Sequence, residues 1–266
     1  MSARQQFLSS AKWLFVERTG PLTGNPRIQP SRKQRWKTLF HELRREIFSL
    51  RNHNKELADR AYTDQLTKLP NRHALEELLP ELLNKHGAIG VIAIDIDRFK
   101  RVNDTLGHAG GDAALQHMGN KLNATFLPAG NPWYYMKHCR LHTDANTIAF
   151  RTGGEEFVIV MPGNAEADIV REANKLRADI AESSCIDPVS GKTISFTISA
   201  GVTTCNRGDS VGAALTRADQ ALYHAKHTGR DRVCTFSEVP ADVMGSSRNE
   251  RRPLPIFVAD LSGGAN

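Results

Sequence analysis

The feature that most constrains the fold is a polar turn between two apolar runs, residues 147–150 and 158–161. The residues between them, 151–157, read Arg-Thr-Gly-Gly-Glu-Glu-Phe. Paired glycines between strand-like runs predict a β-hairpin whose turn uses positive φ, and their missing Cβ atoms let a ligand approach the backbone. The adjacent carboxylates Glu155 and Glu156 repel each other unless they share a cation. The turn is therefore either a metal and phosphate site or a solvated acidic hairpin.

A second element lies upstream, where residues 88–94 form a continuous apolar run. Such a run predicts a buried strand, and it delivers Asp95 and Asp97 at its C-terminal end. Because side chains alternate along a strand, the two carboxylates share a face, and the carbonyl of Ile96 is free to point toward an ion. Asp95 with Glu155 would give the oxygen-rich environment that Mg²⁺ prefers. Asp97 has a second interpretation, as a cap of the turn after the strand.

The polar, glycine-rich segment 103–112 follows, and we expect a helix from about residue 112 to residue 126. Asn103 offers a donor and an acceptor, and an ionised Asp112 accepts from paired N–H donors, so together they match the edge of guanine. Helix capping is the competing role of Asp112.

The segment 218–230 predicts a last helix, which ends at Gly229. Lys226 and Arg230 lie near its C-terminal end, where cations interact favourably with the helix dipole whether or not they bind a ligand.

Taken together, these segments resemble the GGDEF domain, the catalytic module of bacterial diguanylate cyclases. The resemblance covers about residues 64–236, in four blocks and one shorter segment: 64–72, 95–112, 151–157, 218–230 and 199–202. It implies an α/β (α+β) sandwich, ferredoxin-like and related to the palm of polymerases and nucleotide cyclases. The expected strands, which alternate with amphipathic helices as this fold requires, lie near 88–95, 147–151, 156–161, 193–203 and 232–236.

The resemblance also implies a reaction, the condensation of two GTP molecules into the bacterial second messenger cyclic di-GMP with release of two pyrophosphates. Asp95, the carbonyl of Ile96 and Glu155 would hold Mg²⁺, one or two ions per site, with Mn²⁺ as a substitute. Glu156 would bind metal or activate the attacking 3′-hydroxyl. Such chemistry depends on positioning and charge neutralisation more than on a covalent nucleophile.

The implied substrate contacts divide between the base and the phosphates. They are Asn103 and Asp112 for guanine, and Phe99 and Lys100 (through the backbone of residues 98–100), Lys226 and Arg230 for the outer phosphates. Three other functions stay open: a catalytically silent GTP-binding module, a cyclase with mixed purine products, and an interaction protein that binds nucleic acid.

The chain departs from the family pattern in two places. Glu155 stands where the family name has Asp, and a carboxylate one methylene longer still reaches a metal. Asp144 and Thr147 stand where many relatives carry an inhibitory Arg-x-x-Asp, so we expect no inhibitory product site. The longer segment 127–146 is either a docking loop or a packed surface insertion.

The composition is that of a soluble cytoplasmic enzyme: 40% of the 266 residues are hydrophobic, enough for one full domain with extensions. No apolar run approaches the roughly 18 residues of a membrane span, and no signal peptide is recognised. The four cysteines lack metal or redox spacing and are expected to be reduced structural thiols: Cys139, Cys185, Cys205 and Cys234.

Charge is unevenly distributed. Residues 1–60 hold 13 Lys or Arg against 5 Asp or Glu, whereas the remainder holds 22 against 24. We expect 1–31 to be a basic flexible arm, either simply solvated or in contact with a membrane surface, nucleic acid or an acidic partner. Residues 237–266 mix Pro, Gly, Ser and Arg, which predicts a disordered tail.

Between the arm and the catalytic domain at 63–236, residues 32–62 show a heptad pattern. Apolar residues recur at steps of four and three, with one polar position: Trp36, Phe40, Leu43, Ile47, Leu50, Asn54, Leu57 and Ala61. This pattern predicts a coiled-coil stalk that holds a homodimer, although a helix packed on its own domain would show much the same pattern.

Overall fold

A computed structural model describes residues 32–126, 147–163 and 165–241. The predictions for the basic arm, for the insertion 127–146 and for the tail beyond residue 241 lie outside these described residues. Residues Phe236–Glu238 form a 3₁₀-helix, and Val239 is buried, so ordered structure includes the first residues after the expected domain end.

The chain divides into two compact units, Met1–Leu50 and Arg51–Asn266, and each is described by itself. The described part of the first unit is helical and belongs to helix α1, Arg32–Tyr62, which continues into the second unit. The large apolar side chains of α1 are exposed, from 41% for Leu43 to 67% for Phe48. The expected helix is therefore present, and its heptad positions are open to solvent in the single chain.

The second unit alternates helices and strands. Their bounds are α2 Arg72–His86, β1 Ala88–Ile96, α3 Phe99–Phe126, β2 Ile148–Arg151, β3 Glu156–Pro162, α4 Glu166–Ala181, β4 Cys185–Ile186, β5 Thr193–Ile194, β6 Ile198–Asn206, α5 Val211–His227 and β7 Val233–Thr235. The main sheet has the order β2-β3-β1-β6-β7, antiparallel except for the parallel pair β6 and β7. Its first four strands have the ferredoxin-like order that the sequence led us to expect.

Strand β1 lies inside the sheet and is buried on both faces. Its Ile92, Ile94 and Ile96 pack in one core with α3 and α4. Residues on the other face, such as Val91, pack in a second core with α2 and α5. The period of two along β1 thus separates two apolar layers, which explains why its sequence is continuously hydrophobic.

The strand expected at 193–203 is two strands. β5 pairs with β4 in a separate two-stranded sheet, whereas β6 begins at Ile198 and pairs with β1. The intervening Ser195 is exposed and Phe196 is buried. A run of β-forming residues does not reveal where the chain changes partner, because pairing is a tertiary property.

The prediction that α3 begins near Asp112 was wrong, since helix begins at Phe99. Gly107, with φ 70° and ψ −178°, interrupts it and divides it into two segments. The glycines that argued against a helix have a packing role: a Cβ on Gly111 would lie 1.9 Å from Oδ1 of Asn103. Close packing of the first segment on the second therefore outweighs the low helix propensity of glycine.

Helix α5 also differs from expectation, since it runs from Val211 to His227 and ends before Gly229. Gly229 has φ 132°, a conformation outside any helix.

Among the described residues, no helix combines the length and hydrophobicity that a membrane crossing requires.

Candidate active site

The hairpin turn lies between Arg151, the last residue of β2, and Glu156, the first of β3. The amide of Thr152 donates to the carbonyl of Glu156 at 3.0 Å and closes the turn. Neither Gly153 nor Gly154 has positive φ, so that part of the prediction was wrong. A Cβ on Gly154 would meet no atom within 4 Å, so the backbone there is open to a ligand.

The guanidinium of Arg151 is what holds the turn in this conformation. It donates to the carbonyl of Gly153 at 3.2 Å and to that of Gly154 at 2.8 Å. Its Nη1 also lies 2.8 Å from the carboxylate of Asp64. The sequence offered a signal for both residues, since each lies inside a family-like block, but no role was assigned to them.

The end of β1 lies directly beside this hairpin. Asp95 is opposite Glu156 in the antiparallel register, and the amide of Ile96 donates to the carbonyl of Glu155 at 3.4 Å. The fold thus brings together four candidate site residues from two segments about sixty positions apart: Asp95, Ile96, Glu155 and Glu156. Asp95 is only 2% exposed, so its carboxylate needs a cation or hydrogen-bond donors.

In this structure that cation is Lys226 from α5. Its Nζ lies 2.5 Å from Oδ1 of Asp95, and its side chain is 11% exposed. The helix that carries Lys226 packs on the face of the sheet that Asp95 shares, which explains the meeting. Lys226 therefore reaches the end of β1 and contacts a candidate metal ligand directly, and its binding to phosphate stays a prediction.

Asp97 has a structural role. Its carboxylate accepts hydrogen bonds from the hydroxyls of Thr197 and Ser199, at 2.8 and 2.7 Å, and from the amide of Asp231 at 3.0 Å. It is 6% exposed, and these bonds fasten the end of β1 to β6 and to the loop after α5. Its carboxylate accepts from residues 100 or more positions away and not from the turn that follows β1, so the expectation that Asp97 caps that turn was wrong.

Asn103 and Asp112 lie on the two segments of α3. Asn103 packs against Gly111, the residue before Asp112, so the bend at Gly107 brings the two positions together. Asp112 is exposed and lies inside the helical range, which excludes it as the cap of the helix start. An amide and a free carboxylate side by side are suited to the donor and acceptor groups of a purine edge.

The residues expected at the outer phosphates lie around the turn from β1 into α3 and the loop after α5. Arg98 has φ 55° and Arg230 has φ 63°, both unusual for residues with a Cβ. The ring of Phe99 is buried in the core, so only its backbone can contact a ligand. Lys100 is exposed.

The oxygen donors Asp95, Glu155 and the carbonyl of Ile96 suit a hard divalent cation. Within the described residues, no group of three or more His, Cys, Asp or Glu side chains is arranged to hold a metal. A site here would therefore use two carboxylates, backbone oxygen and ligand oxygens.

Burial raises the pKa of the described thiols, which fits structural rather than reactive cysteines: Cys185, Cys205 and Cys234. Cys139 lies outside the described residues. Asp144, which stands where relatives carry the arginine of the inhibitory Arg-x-x-Asp, also lies outside them.

Comparison with known proteins agrees with this geometry. The family model described as "Diguanylate cyclase, GGDEF domain" matches residues 61–130 and 136–232. The diguanylate cyclase DgcP of Pseudomonas aeruginosa is 36% identical over 197 residues, which cover 73% of this chain and 26% of that protein. The response regulator PleD of Caulobacter vibrioides is 34% identical over 189 residues, 69% of this chain and 38% of that one. The chain thus spans well under half the length of these relatives.

A solved structure shares the fold. The coiled coil and GGDEF domain of DgcB from Caulobacter crescentus, in complex with c-di-GMP, superposes with a TM-score of 0.64 at 26% identity. The match covers 76% of this chain and 100% of that one. The fold is therefore that of a known family, and the chain belongs to the GGDEF-domain family of diguanylate cyclases.

Proposed function

We propose that the protein is a diguanylate cyclase that condenses two GTP molecules into cyclic di-GMP and two pyrophosphates. The observation that carries the proposal is the meeting of Asp95 with the Glu155 and Glu156 hairpin, next to Lys226, in a chain of this family. In each condensation the 3′-hydroxyl oxygen of one GTP bonds to the α-phosphorus of the other. The bond from that phosphorus to the bridging oxygen breaks, and pyrophosphate leaves.

Diguanylate cyclases of this family generally depend on a divalent metal. Here Asp95, the Ile96 carbonyl and Glu155 would hold Mg²⁺, with Mn²⁺ as a substitute. When bound, the ion neutralises negative charge on the phosphates. Because Lys226 already pairs with Asp95, we infer an exchange of partners in which the cation replaces the ammonium on Asp95 and Lys226 turns to the substrate phosphates.

The other residues bind and orient the substrate. Asn103 and Asp112 would hydrogen-bond guanine, which orients the nucleotide along α3. Arg230 and the backbone of residues 98–100, including Phe99 and Lys100, would bind the outer phosphates. Glu156, opposite Asp95 in the register, would accept the proton of the attacking 3′-hydroxyl or add to metal binding.

The reaction needs two GTP-loaded sites face to face, so the proposal includes a homodimer. The exposed heptad positions of α1 support it, because apolar side chains at heptad spacing are stable in water only against a partner. The proposed seam consists of Leu43, Ile47, Leu50, Asn54 and Leu57.

GTP is a cytoplasmic metabolite, so we assign the reaction to the cytoplasm.

The test is direct. The purified protein is incubated with GTP, ATP and Mg²⁺, and the products are identified by mass spectrometry. We expect cyclic di-GMP and no mixed purine product from the wild type, and no product from a variant with Glu155→Ala and Glu156→Ala. Glu166→Ala with Glu182→Ala removes the same charge from exposed positions around α4 and should be fully active. Wild-type turnover by the hairpin variant, at an unchanged melting temperature, would disprove the assignment.

A further inference from the structure

Three consecutive residues in the loop after α5 have positive φ: Gly229 at 132°, Arg230 at 63° and Asp231 at 44°. Glycine adopts such values readily, whereas Arg230 and Asp231 carry a Cβ that makes this conformation unfavourable. Backbone strain of this kind persists where the surrounding structure enforces it, often at functional sites. The contacts that hold the loop are therefore informative about its function.

The backbone of Arg230 is fixed by contacts within the loop and with α5. Its amide donates to the carbonyl of Ala225 at 3.0 Å, and its carbonyl accepts from Nε of Arg232 at 3.1 Å. The guanidinium of Arg230 has no hydrogen bond or ion pair with any residue that the structure describes. Because its amide is already engaged, Arg230 can offer donors to an anion only through its side chain.

The amide of the next residue is held from the end of β1. The N–H of Asp231 donates to Oδ2 of Asp97 at 3.0 Å, although 134 positions separate the two residues. The same oxygen accepts from the hydroxyl of Thr197, and Oδ1 accepts from the hydroxyl of Ser199. Asp97 is 6% exposed, and its own amide donates to the carbonyl of Thr197 at 2.9 Å. The carboxylate is thus a buried, rigid anchor for the loop.

A second contact holds Asp231 from its other side. Its carboxylate pairs with Nη1 of Arg177 on α4 at 2.7 Å, and the two side chains are 43% and 26% exposed. Ion pairs at exposed positions contribute little, whereas a buried hydrogen bond to a charged group is stronger. The contact with Asp97 is therefore the main one that holds the strained backbone.

This anchor connects the two ends of the candidate substrate site. Asp97 follows the candidate metal ligand Asp95 by two residues, and it is bonded to the residue that follows Arg230. A triphosphate that contacts a metal on Asp95 and the guanidinium of Arg230 together requires a fixed separation between them. Asp97 sets that separation, because its bonds join the end of β1 to the loop.

We propose that Asp97 is a positioning residue for GTP, which holds the loop after α5 so that the guanidinium of Arg230 meets the outer phosphates. The proposal rests on the proposed function and gives Asp97 no contact with substrate or metal. Contacts with the outer phosphates are present in bound GTP and in the transition state alike. Their loss should therefore raise the KM for GTP and change kcat little.

A double-mutant cycle between Asp97 and Arg230 tests the proposal. Affinity is measured by titration calorimetry with Mg²⁺ and a GTP analogue that cannot be cleaved between the α- and β-phosphorus atoms. We expect Asp97→Ala and Arg230→Ala each to bind about tenfold more weakly than the wild type, and the double variant to bind no more weakly than Arg230→Ala. Unchanged affinity of Asp97→Ala, or a further tenfold loss in the double variant, would overturn the proposal.

The matched control is Asp187→Ala. Asp187 is also buried, and its carboxylate accepts from the amides of Val189 and Ser190 in the turn between β4 and β5. Its loss removes a turn-holding carboxylate away from Arg230, so this variant should bind the analogue like the wild type. Equal weakening by Asp187→Ala and Asp97→Ala would overturn the proposal, since the effect would then be a general loss of stability.

Asp97→Asn separates positioning from metal binding. Its amide oxygen can accept from the N–H of Asp231, and its NH₂ group can donate to the hydroxyl of Ser199, which rotates to accept. We therefore expect a KM, a kcat and a Mg²⁺ requirement close to those of the wild type. An Asn variant that lost activity and needed much more Mg²⁺ would make Asp97 a metal ligand and would overturn the proposal.

Hydrogen exchange at the amide of Asp231, followed by NMR, measures the contact without substrate. We expect exchange at least about tenfold faster in Asp97→Ala than in the wild type or Asp187→Ala. Asp97→Ser, which is too short to reach this amide but keeps a polar group beside Ser199, replaces Asp97→Ala if that variant does not fold. Equal exchange in variant and wild type would overturn the proposal. A wild type that bound no GTP analogue would instead overturn the proposed function, and the exchange rates would still decide whether Asp97 holds the loop.

Discussion

Arg151 and Asp64 form an ion pair across 87 positions of the chain, with Nη1 of the guanidinium 2.8 Å from Oδ1 of the carboxylate. The backbone amide of Arg151 also donates to the carbonyl of Pro70 at 2.9 Å. Nearby, the side chain of Asn71 donates to the carbonyl of Ala61 at 2.8 Å, in the last turn of α1. The hairpin that carries Glu155 and Glu156 is therefore fastened to the segment that directly follows α1.

The first prediction concerns that ion pair. Arg151→Lys keeps the charge but cannot contact Asp64 and both glycine carbonyls together, because an ammonium lacks the planar fork of guanidinium. We expect it to lower stability by about 2 kcal/mol and kcat by at least about tenfold, with little change in the KM for GTP. Arg72→Lys, which alters an exposed pair with Glu76, is the matched control. Equal melting temperatures and turnover of the two variants would contradict the proposed support of the hairpin.

The second prediction is the pH dependence of the same contact. Burial by itself raises the pKa of Asp64, but the Thr67 amide and hydroxyl and the Arg151 guanidinium outweigh it and hold the pKa below 3.8. The folded state thus binds the proton less readily than the unfolded state. The stabilisation is complete above the unfolded pKa and is lost as the pH falls through the lower, folded pKa. In urea unfolding, the stability difference between wild type and Asp64→Asn should stay constant from about pH 7 to 5 and shrink below about pH 4. If the stability difference between wild type and Asp64→Asn grew as the pH fell, a titratable group other than Asp64 would dominate the pH dependence.

The third prediction tests the exchange of partners on Asp95. Lys226→Ala leaves a carboxylate that is 2% exposed without its ammonium, which should cost about 3–5 kcal/mol in metal-free buffer. Added Mg²⁺ should then raise the melting temperature of Lys226→Ala more than that of the wild type, because no ammonium competes for Asp95. Lys175→Ala, on the exposed side of α4, controls for the loss of a lysine. The exchange is excluded if Mg²⁺ raises the melting temperatures of both variants and of the wild type equally.

Local patterns predicted what depends on local chemistry. The apolar run of β1 and the glycine turn after β2 predicted that Asp95 lies at the end of a buried strand and that Glu155 and Glu156 lie at a hairpin, as the structure shows. Both features depend on the composition of consecutive residues. The turn conformation was not predictable in the same way. It depends on the guanidinium of Arg151, which holds the glycine carbonyls and removes the need for positive φ.

Features that join distant segments were the ones missed. The roles of Asp97 and Lys226 follow from partners more than 90 positions away, so no spacing rule reveals them. Likewise, the first segment of α3 is helical although Gly107 interrupts it and further glycines follow, because Asn103 packs on Gly111. Tertiary contact overrode propensity there, at a place that we also propose to be functional.

The fourth prediction concerns product inhibition. Asp144 and Thr147 stand where an inhibitory Arg-x-x-Asp would be, so added cyclic di-GMP should inhibit weakly and in competition with GTP. Steady-state rates at several GTP and product concentrations distinguish the two modes. Noncompetitive inhibition at low product concentration would show this wrong and would direct attention to Lys137 and Arg140, cations in the segment 127–146.

The last prediction concerns the exposed heptad face of α1. Leu43→Lys with Leu50→Lys would bury like charges in a seam between two chains, so we expect monomers by light scattering. These monomers should bind GTP normally yet form cyclic di-GMP slowly, with a rate that rises steeply with protein concentration, because each product needs two half-sites to meet. His41→Lys with Asn52→Lys adds the same charges to the opposite side of the helix and should remain dimeric. Asn54→Ile should strengthen association, since a paired amide at a core position fixes register at some expense of stability. A Leu43 and Leu50 variant that stayed a dimer with full turnover would move the dimer interface away from α1.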